Sequence, residues 1–325
     1  MSDATRTIDE LLARGRTADA VHRLDAACAA GDVDALFKSA AWHLVGEPVR
    51  RDLAVARDRL RHAVTIGHVD AALLEIALTA NGSGGPPSWA SSLALLREAA
   101  TADPLAAQHL ALVSAMHLDP EGRPAVVPDR QPLRAEGGIF ALPAFLSPAE
   151  CAHVAQAASD LLEPAMVVDS ATGRQIPHPI RTSDAAVIGP MREDLVVRAI
   201  NLRIAAATAT DVGQGEALTV LRYRPGQQFR LHSDALPAVR NQRVKTLLIY
   251  LNGGFMGGET VFPDHDLTVR PVAGDALLFD NMLDDGKPDP RSRHAGLPVT
   301  KGVKWLATRW IRARPFDPWT GPEAA

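Results

Sequence analysis

Apolar residues recur at three- and four-residue intervals through about the first 120 positions of the chain, and in short alternating runs beyond about position 215. The first period predicts helices and the second predicts strands. Within the helical half, "LDAACAAG" from Leu24, "LRHAVTIG" from Leu60 and "LREAATAD" from Leu96 follow one another at steps of 36 residues. A second phase agrees, because "GDVDALF" at Gly31 returns as "GHVDAAL" at Gly67. Small residues hold one position of each unit, Ala27, Ala63 and Ala99. A fixed period near 35 with small residues at one site predicts stacked helix pairs, since small side chains let neighbouring helices approach closely.

Between 121 and 137 the chain is rich in proline, glycine and charge, and it reads as a linker. Two more helices are expected beyond it, "SPAECAHVAQAASDLL" with Ser147 as N-cap and Glu150 three residues on, and "REDLVVRAINLRIAAAT". Short strand-like runs follow: "EALTVLRY", "RVKTLLIYLN", "ETVF", "DLTVRP", "DALLFD" and "KWLATRWI". Glycine turns such as "NGGFMGGE" separate them, a pattern of sandwiches and jelly rolls. The expectation is an α+β chain with a helical repeat domain at 1–120, a linker at 121–137, a β-rich domain at 138–315 and a tail at 316–325.

Composition narrows the possibilities. A formal net charge of -4 and no basic stripe argue against nucleic acid as a partner. No stretch approaches the roughly 18 apolar residues of a membrane span, and the start of the chain has no apolar leader core, so no membrane is expected and a cytoplasmic location is. Cys28 and Cys151 are isolated thiols that suggest neither a zinc site nor a redox motif.

The β-rich half carries the candidate chemistry. His232 and Asp234 form a His-x-Asp pair, and so do His68 and Asp70. Residues two apart share a face in a strand but diverge in a helix. His68 and Asp70 lie in the helical repeats, whereas His232 and Asp234 follow a strand-like run and can converge on one ion. His294, just before the last strand, supplies a third ligand in a similar setting. Two histidines and a carboxylate make the facial triad of non-haem Fe(II) oxygenases, with positions left open for co-substrate and oxygen. Alternation along the last strand sets Lys304, Leu306, Thr308, Trp310 and Arg312 on one face. A lysine on an apolar face calls for an anion, and a dicarboxylate would meet it.

The repeats resemble tetratricopeptide-like repeats of the Sel-one-like type, which implies a surface for a peptide or protein partner. The segment from about 138 to 312 resembles the prolyl 4-hydroxylase group of Fe(II)/2-oxoglutarate dioxygenases. The matching stretches are "IRTSDAAVI", "RYRPGQQFRLHSD", "GGETVFP", "GDALLFDN", "DPRSRHAGLPV" and "GVKWLATRWI". The resemblance implies a double-stranded β-helix (jelly-roll) core. It also implies that His232, Asp234 and His294 bind Fe(II), that Lys304 pairs with the distal carboxylate of 2-oxoglutarate, and that O2 is consumed, with ascorbate a further candidate. Tyr223, Tyr250 and Thr260 match positions lining the co-substrate pocket. Arg243, Arg181, Trp310 and Arg312 match positions at the substrate cleft, and the loop from about 166 to 190 is its expected lid. Two departures touch that cleft: Phe229 stands where many relatives have tyrosine, and Arg312 where several have histidine. The implied reaction is hydroxylation of a prolyl residue in a peptide or protein, releasing succinate and CO2. A free amino acid or small metabolite is the alternative substrate, and a non-catalytic repeat protein is the alternative of another class.

Overall fold

A computed structural model of the chain describes residues 2–134, 138–168 and 175–324. It divides into two compact units, one comprising 1–116, 120–122 and 190–198 and the other 117–119, 123–189 and 199–325.

In the first unit helix α1 (Asp3–Ala13) precedes three helix pairs: α2 (Thr17–Ala29) with α3 (Val33–Val45), α4 (Leu53–Thr65) with α5 (Val69–Asn81), and α6 (Trp89–Ala99) with α7 (Pro104–Ala115). The pairs keep the sequence period, and the repeated leucines Leu24, Leu60 and Leu96 are all buried. Capping explains the boundaries. Asp32, Asp52, Ser88 and Asp103 each accept a backbone N–H from the first turn of the following helix. Gly46 and Gly82 close α3 and α5 in the left-handed region, where a side chain would be strained. The interior also holds a buried ion pair. Arg57 donates to both carboxylate oxygens of Glu75 at 2.6 and 2.7 Å, to Thr79 Oγ1, and to the carbonyl of Ser83.

The second unit is built on antiparallel strands. Strands β1 (Gln131–Pro132) and β2 (Ile139–Leu142) come first, then helix α8 (Pro148–Ala158), β3 (Glu163–Pro164), β4 (Met166–Val168), β5 (Gln175–Pro177) and β6 (Asp184–Ile188). Helix α9 (Leu195–Thr208) starts among the residues grouped with the first unit. After it come β7 (Leu218–Tyr223), β8 (Phe229–His232), β9 (Arg243–Tyr250), β10 (Met256–Gly257), β11 (Thr260–Phe262), β12 (Leu267–Val269), β13 (Ala276–Asp280), β14 (His294–Gly296), β15 (Val299–Lys301) and β16 (Lys304–Arg312). One sheet has the order β1-β2-β13-β9-β16-β7-β6-β3 and another β12-β11-β14-β8. One buried cluster joins them, with Leu221, Leu248, Leu277 and Leu306 from the first and Phe262 and Leu267 from the second. This is the two-sheet arrangement expected of a jelly roll.

Three expectations change. The stretch read as linker contributes β1, whose Gln131 and Pro132 pair with Ala141 and Phe140. Its last residues, 135–137, lie outside the described residues. The expected lid is also partly ordered: β4 pairs with β5, and β6 pairs with β7 along its whole length. Residues 169–174 of that stretch lie outside the described residues. The tail is tied down as well, with Phe316 N–H donating to Gly213 O at 3.1 Å and Arg240 N–H to Glu323 Oε2 at 3.0 Å. Two- and three-residue strands have too little alternation to stand out in a sequence, because their partners define them.

Candidate active site

The pairing of β8 with β14 sets His232 directly opposite His294, and the ring centroids are 4.3 Å apart. Asp234, two residues beyond His232, turns back toward both. Its Oδ1 lies 3.7 Å from His232 Nε2 and its Oδ2 lies 3.8 Å from His294 Nε2. One donor atom from each of the three lies within 4.8 Å of the others. Each histidine is held from behind. His232 Nδ1 is 2.8 Å from Arg230 O and His294 Nδ1 is 3.1 Å from Ser292 O. A carbonyl can only accept, so each Nδ1 carries the proton and each Nε2 presents a lone pair to the centre. Phe229 lies flat on His232, with centroids 3.5 Å apart.

Electrostatics favour a cation between these groups. Burial, and then the neighbouring His294, pull His232 down to about 4, so that it is neutral near pH 7. Burial alone would raise Asp234, but His294, His232 and the hydrogen bond from Thr246 outweigh it and hold the carboxyl low. That bond is 2.7 Å long, and Thr246 Oγ1 accepts in turn from Asn281 Nδ2 at 3.0 Å. Thr246 and Asn281 are fully buried, and the sequence reading missed both. Each is a polar residue at an inward position of an apolar strand or at its end, a signal that could have marked them.

The other side of the same cavity holds Lys304, which is 2 % exposed. It stands across from Tyr223 on β7, and its Nζ lies 5.5 Å from the Tyr223 ring centroid and 5.4 Å from that of Tyr250. Nζ donates to Gly258 O at 2.7 Å. No carboxylate among the described residues pairs with it. Burial pulls it from 10.5 to about 8, with Glu259 opposing the shift. Tyr250 Oη and Thr260 Oγ1 are 2.9 Å apart, and burial pushes Tyr223 up to about 12. The cavity runs from Lys304 past Tyr223, Thr260 and Leu306 to the two histidines and Asp234.

A wider, open cleft adjoins it, bordered by Arg181, Arg243, Phe229 and Trp310. Arg243 lies over the Trp310 ring at 4.0 Å and grips Glu216 through Nε and Nη2, at 2.6 and 2.8 Å. Arg312 corrects the sequence reading, because it does not border this cleft. Its Nε donates to Glu216 Oε1 at 2.6 Å and its Nη1 to Asn241 O. The pairing of β16 with β9 shifts register between Ile311 and Arg312, where β9 carries one extra residue, so that Arg312 stands opposite Arg243 and both meet Glu216. The competing pair stays apart from this chemistry: His68 caps α5 by accepting the N–H of Ala71, and Asp70 is exposed in the first turn.

Residues 218–312 match the model of the 2OG-Fe(II) oxygenase superfamily. Among curated proteins the chain is similar to prolyl 4-hydroxylase 1 of Arabidopsis thaliana, 38% identical over 195 residues that cover 54% of this chain and 69% of the relative. It is also similar to probable prolyl 4-hydroxylase 7 of the same plant, at 34% identity over 55% of this chain and 64% of the relative. Among solved structures it is similar to the viral collagen prolyl hydroxylase of Paramecium bursaria Chlorella virus-1 in its 2OG complex. That likeness is 26% identical, covers 56% of this chain and 100% of that one, and has a TM-score of 0.45.

Proposed function

This chain belongs to the prolyl 4-hydroxylase family of 2OG-Fe(II) oxygenases, and from that premise we propose that it hydroxylates a prolyl residue of a peptide or protein, holding Fe(II) with His232, Asp234 and His294 and anchoring 2-oxoglutarate with Lys304. One observation carries the reading: a buried cation with no carboxylate partner among the described residues shares a cavity with three converging ligand side chains. The donor set fits the metal, since two Nε2 atoms aimed inward and one carboxylate held low make the facial triad of a non-haem iron oxygenase. When bound, the iron with 2-oxoglutarate and O2 supplies oxidation of an unactivated C–H, with succinate and CO2 released.

The protein's own part is positional. Lys304 holds the distal carboxylate of the co-substrate, while Tyr223, Tyr250 and Thr260 border its path. Leu221, Leu248 and Leu306 keep the cavity apolar, which strengthens the lysine–carboxylate attraction by excluding water. The backbone carbonyls behind His232 and His294 keep both Nε2 atoms aimed inward, and Thr246 fixes the Asp234 carboxylate. The substrate chain lies in the cleft against Arg181, Phe229, Arg243 and Trp310.

The test is succinate release from 2-oxoglutarate with added Fe(II) and ascorbate, together with mass spectrometry of proline peptides for a gain of one oxygen. Wild type releases succinate and His232→Ala does not; equal release by both would reject the site. A second reading keeps the oxygenase and takes a free amino acid or small metabolite, supported by Phe229 and by Arg312, which is turned onto Glu216. Turnover of free amino acids with no mass shift on any peptide would select it. We also propose that the helical repeats hold a peptide or protein partner, supported by the groove between α4, α5 and α6 lined by Val64, Val69, Ala72 and Leu95. A cytoplasmic location is supported by two buried free thiols, Cys28 and Cys151.

A further inference from the structure

The cleft beside the metal ligands has an excess of hydrogen-bond donors and positive charge. Its carboxylate outside the ligand set, Glu216, is already saturated. Arg243 takes both its oxygens and Arg312 takes Oε1 a second time. Arg312 is also approached from outside by the half-exposed Glu323, at 3.5 Å. That leaves Arg181. Its Nε is buried without a hydrogen-bond partner, and among the described residues no carboxylate pairs with its guanidinium. Burial pulls it below its ordinary range, with the nearby Arg243 adding to the effect and Tyr223 and Asp234 opposing it.

The neighbours of Arg181 repeat the pattern. His178 Nδ1 accepts the backbone N–H groups of Ile180 and Arg181, at 3.3 and 3.0 Å. Its ring proton therefore sits on Nε2, a further donor on a residue lining the cleft. Ser233 Oγ, which could accept, already takes the N–H of Ala235. A partly buried guanidinium with a buried, unpartnered Nε–H is costly until an anion meets it, and the planar fork of arginine matches a carboxylate best.

We propose that this cleft selects a substrate bearing a carboxylate close to the carbon that is oxidised, and that Arg181 is the residue that reads it. The distance follows from stacked rings. The Arg181 guanidinium is 5.7 Å from the Phe229 ring, which lies 3.5 Å from the ring of His232. On the order of three residues of extended chain span that gap. In a peptide the carboxylate is an Asp or Glu side chain within about three residues of the target; in a free amino acid it is the α-carboxylate. The inference rests on the cleft being the substrate site proposed above, and it names the class of substrate taken there.

Direct binding to the full-length protein tests it without requiring turnover. Labelled proline peptides with Glu two or three residues from the proline are compared by fluorescence anisotropy with their Gln counterparts. In a second arm, N-acetylproline competes against its amide. A gained charge-assisted hydrogen bond predicts about tenfold tighter binding of the carboxylate member of at least one pair. Arg181→Gln brings that ratio to near one, and Arg181→Lys, which keeps the charge but loses the fork, retains part of it. The arm that shows the preference identifies the source of the carboxylate. Equal affinities within both pairs for wild type, or an unchanged ratio in Arg181→Gln, overturns the proposal. The wild-type comparison stands even if a variant fails to fold. Preferential binding without oxidation of any ligand would reject the hydroxylase reading alone, whereas oxidation without preference would reject this one alone.

Discussion

Replacing Lys304 with methionine separates what the lysine costs the fold from what it does for the ligand. The side chain is 2 % exposed, and burial pulls its pKa from 10.5 to about 8. At about 1.4 kcal/mol per unit, that depression corresponds to roughly 3 kcal/mol by which the charged lysine disfavours the folded state. The folded pKa lies below the unfolded one, so the penalty is complete below about pH 8 and fades as the pH rises toward 10.5, where the unfolded chain binds more protons. Methionine removes the charge at similar volume but leaves Gly258 O without its 2.7 Å donor, a loss of about 1–2 kcal/mol. The balance at pH 7 is a gain of roughly 1–2 kcal/mol, or about 2–8 °C in Tm for a unit of this size. Above pH 10.5 the order reverses, because only the lost hydrogen bond remains. Binding moves the opposite way: leaving the distal carboxylate of 2-oxoglutarate without its cation weakens affinity by at least about a hundredfold. Calorimetric melts at pH 7 and above 10.5 give the first quantity, and titration of 2-oxoglutarate onto protein loaded with redox-inert Mn(II) gives the second. A variant that melts lower than wild type at pH 7 and binds 2-oxoglutarate equally well would refute both halves of the reasoning.

Two further substitutions probe supporting groups. Thr246→Val removes the 2.7 Å hydrogen bond to Asp234 while keeping the shape of the side chain, and metal affinity is expected to fall about 10–100-fold in a competition titration with a chelating dye. Unchanged affinity would show that the aspartate needs no such support. In the helical unit, Glu75→Ala leaves the Arg57 guanidinium buried without its carboxylate, and denaturant unfolding should show a loss of about 3–5 kcal/mol. A loss below about 1 kcal/mol would mean that water or the neighbouring Thr79 and Ser83 replace Glu75.

The helical half was legible because its signal is local. Each turn of helix satisfies its own backbone, so Leu24, Leu60 and Leu96 mark the buried face and Gly46 and Gly82 mark the ends without reference to distant residues. The longer strands were legible for a similar reason, since β9, β13 and β16 are apolar enough to declare themselves. Strands β1, β3, β10 and β15 have two or three residues each and take their geometry from their partners, which for β3, β10 and β15 lie roughly 20 to 45 residues away in the chain.

At the site the same division holds. The amino-acid sequence by itself determined which residue types were available and their local spacing. His232 and Asp234 two apart after a strand, His294 before the last strand, and Lys304 opening it are all readable along the chain. Tertiary structure alone decided what surrounds them. It put Thr246 and Asn281 behind Asp234, gave Lys304 a backbone carbonyl as partner, turned Arg312 onto Glu216, and left Arg181 facing the cleft. The physical reason is that burial and hydrogen-bond satisfaction depend on strand register between segments many residues apart. A one-residue shift can move a side chain from one face to the other, and the shift between Ile311 and Arg312 is what sets Arg312 opposite Arg243, with both on Glu216.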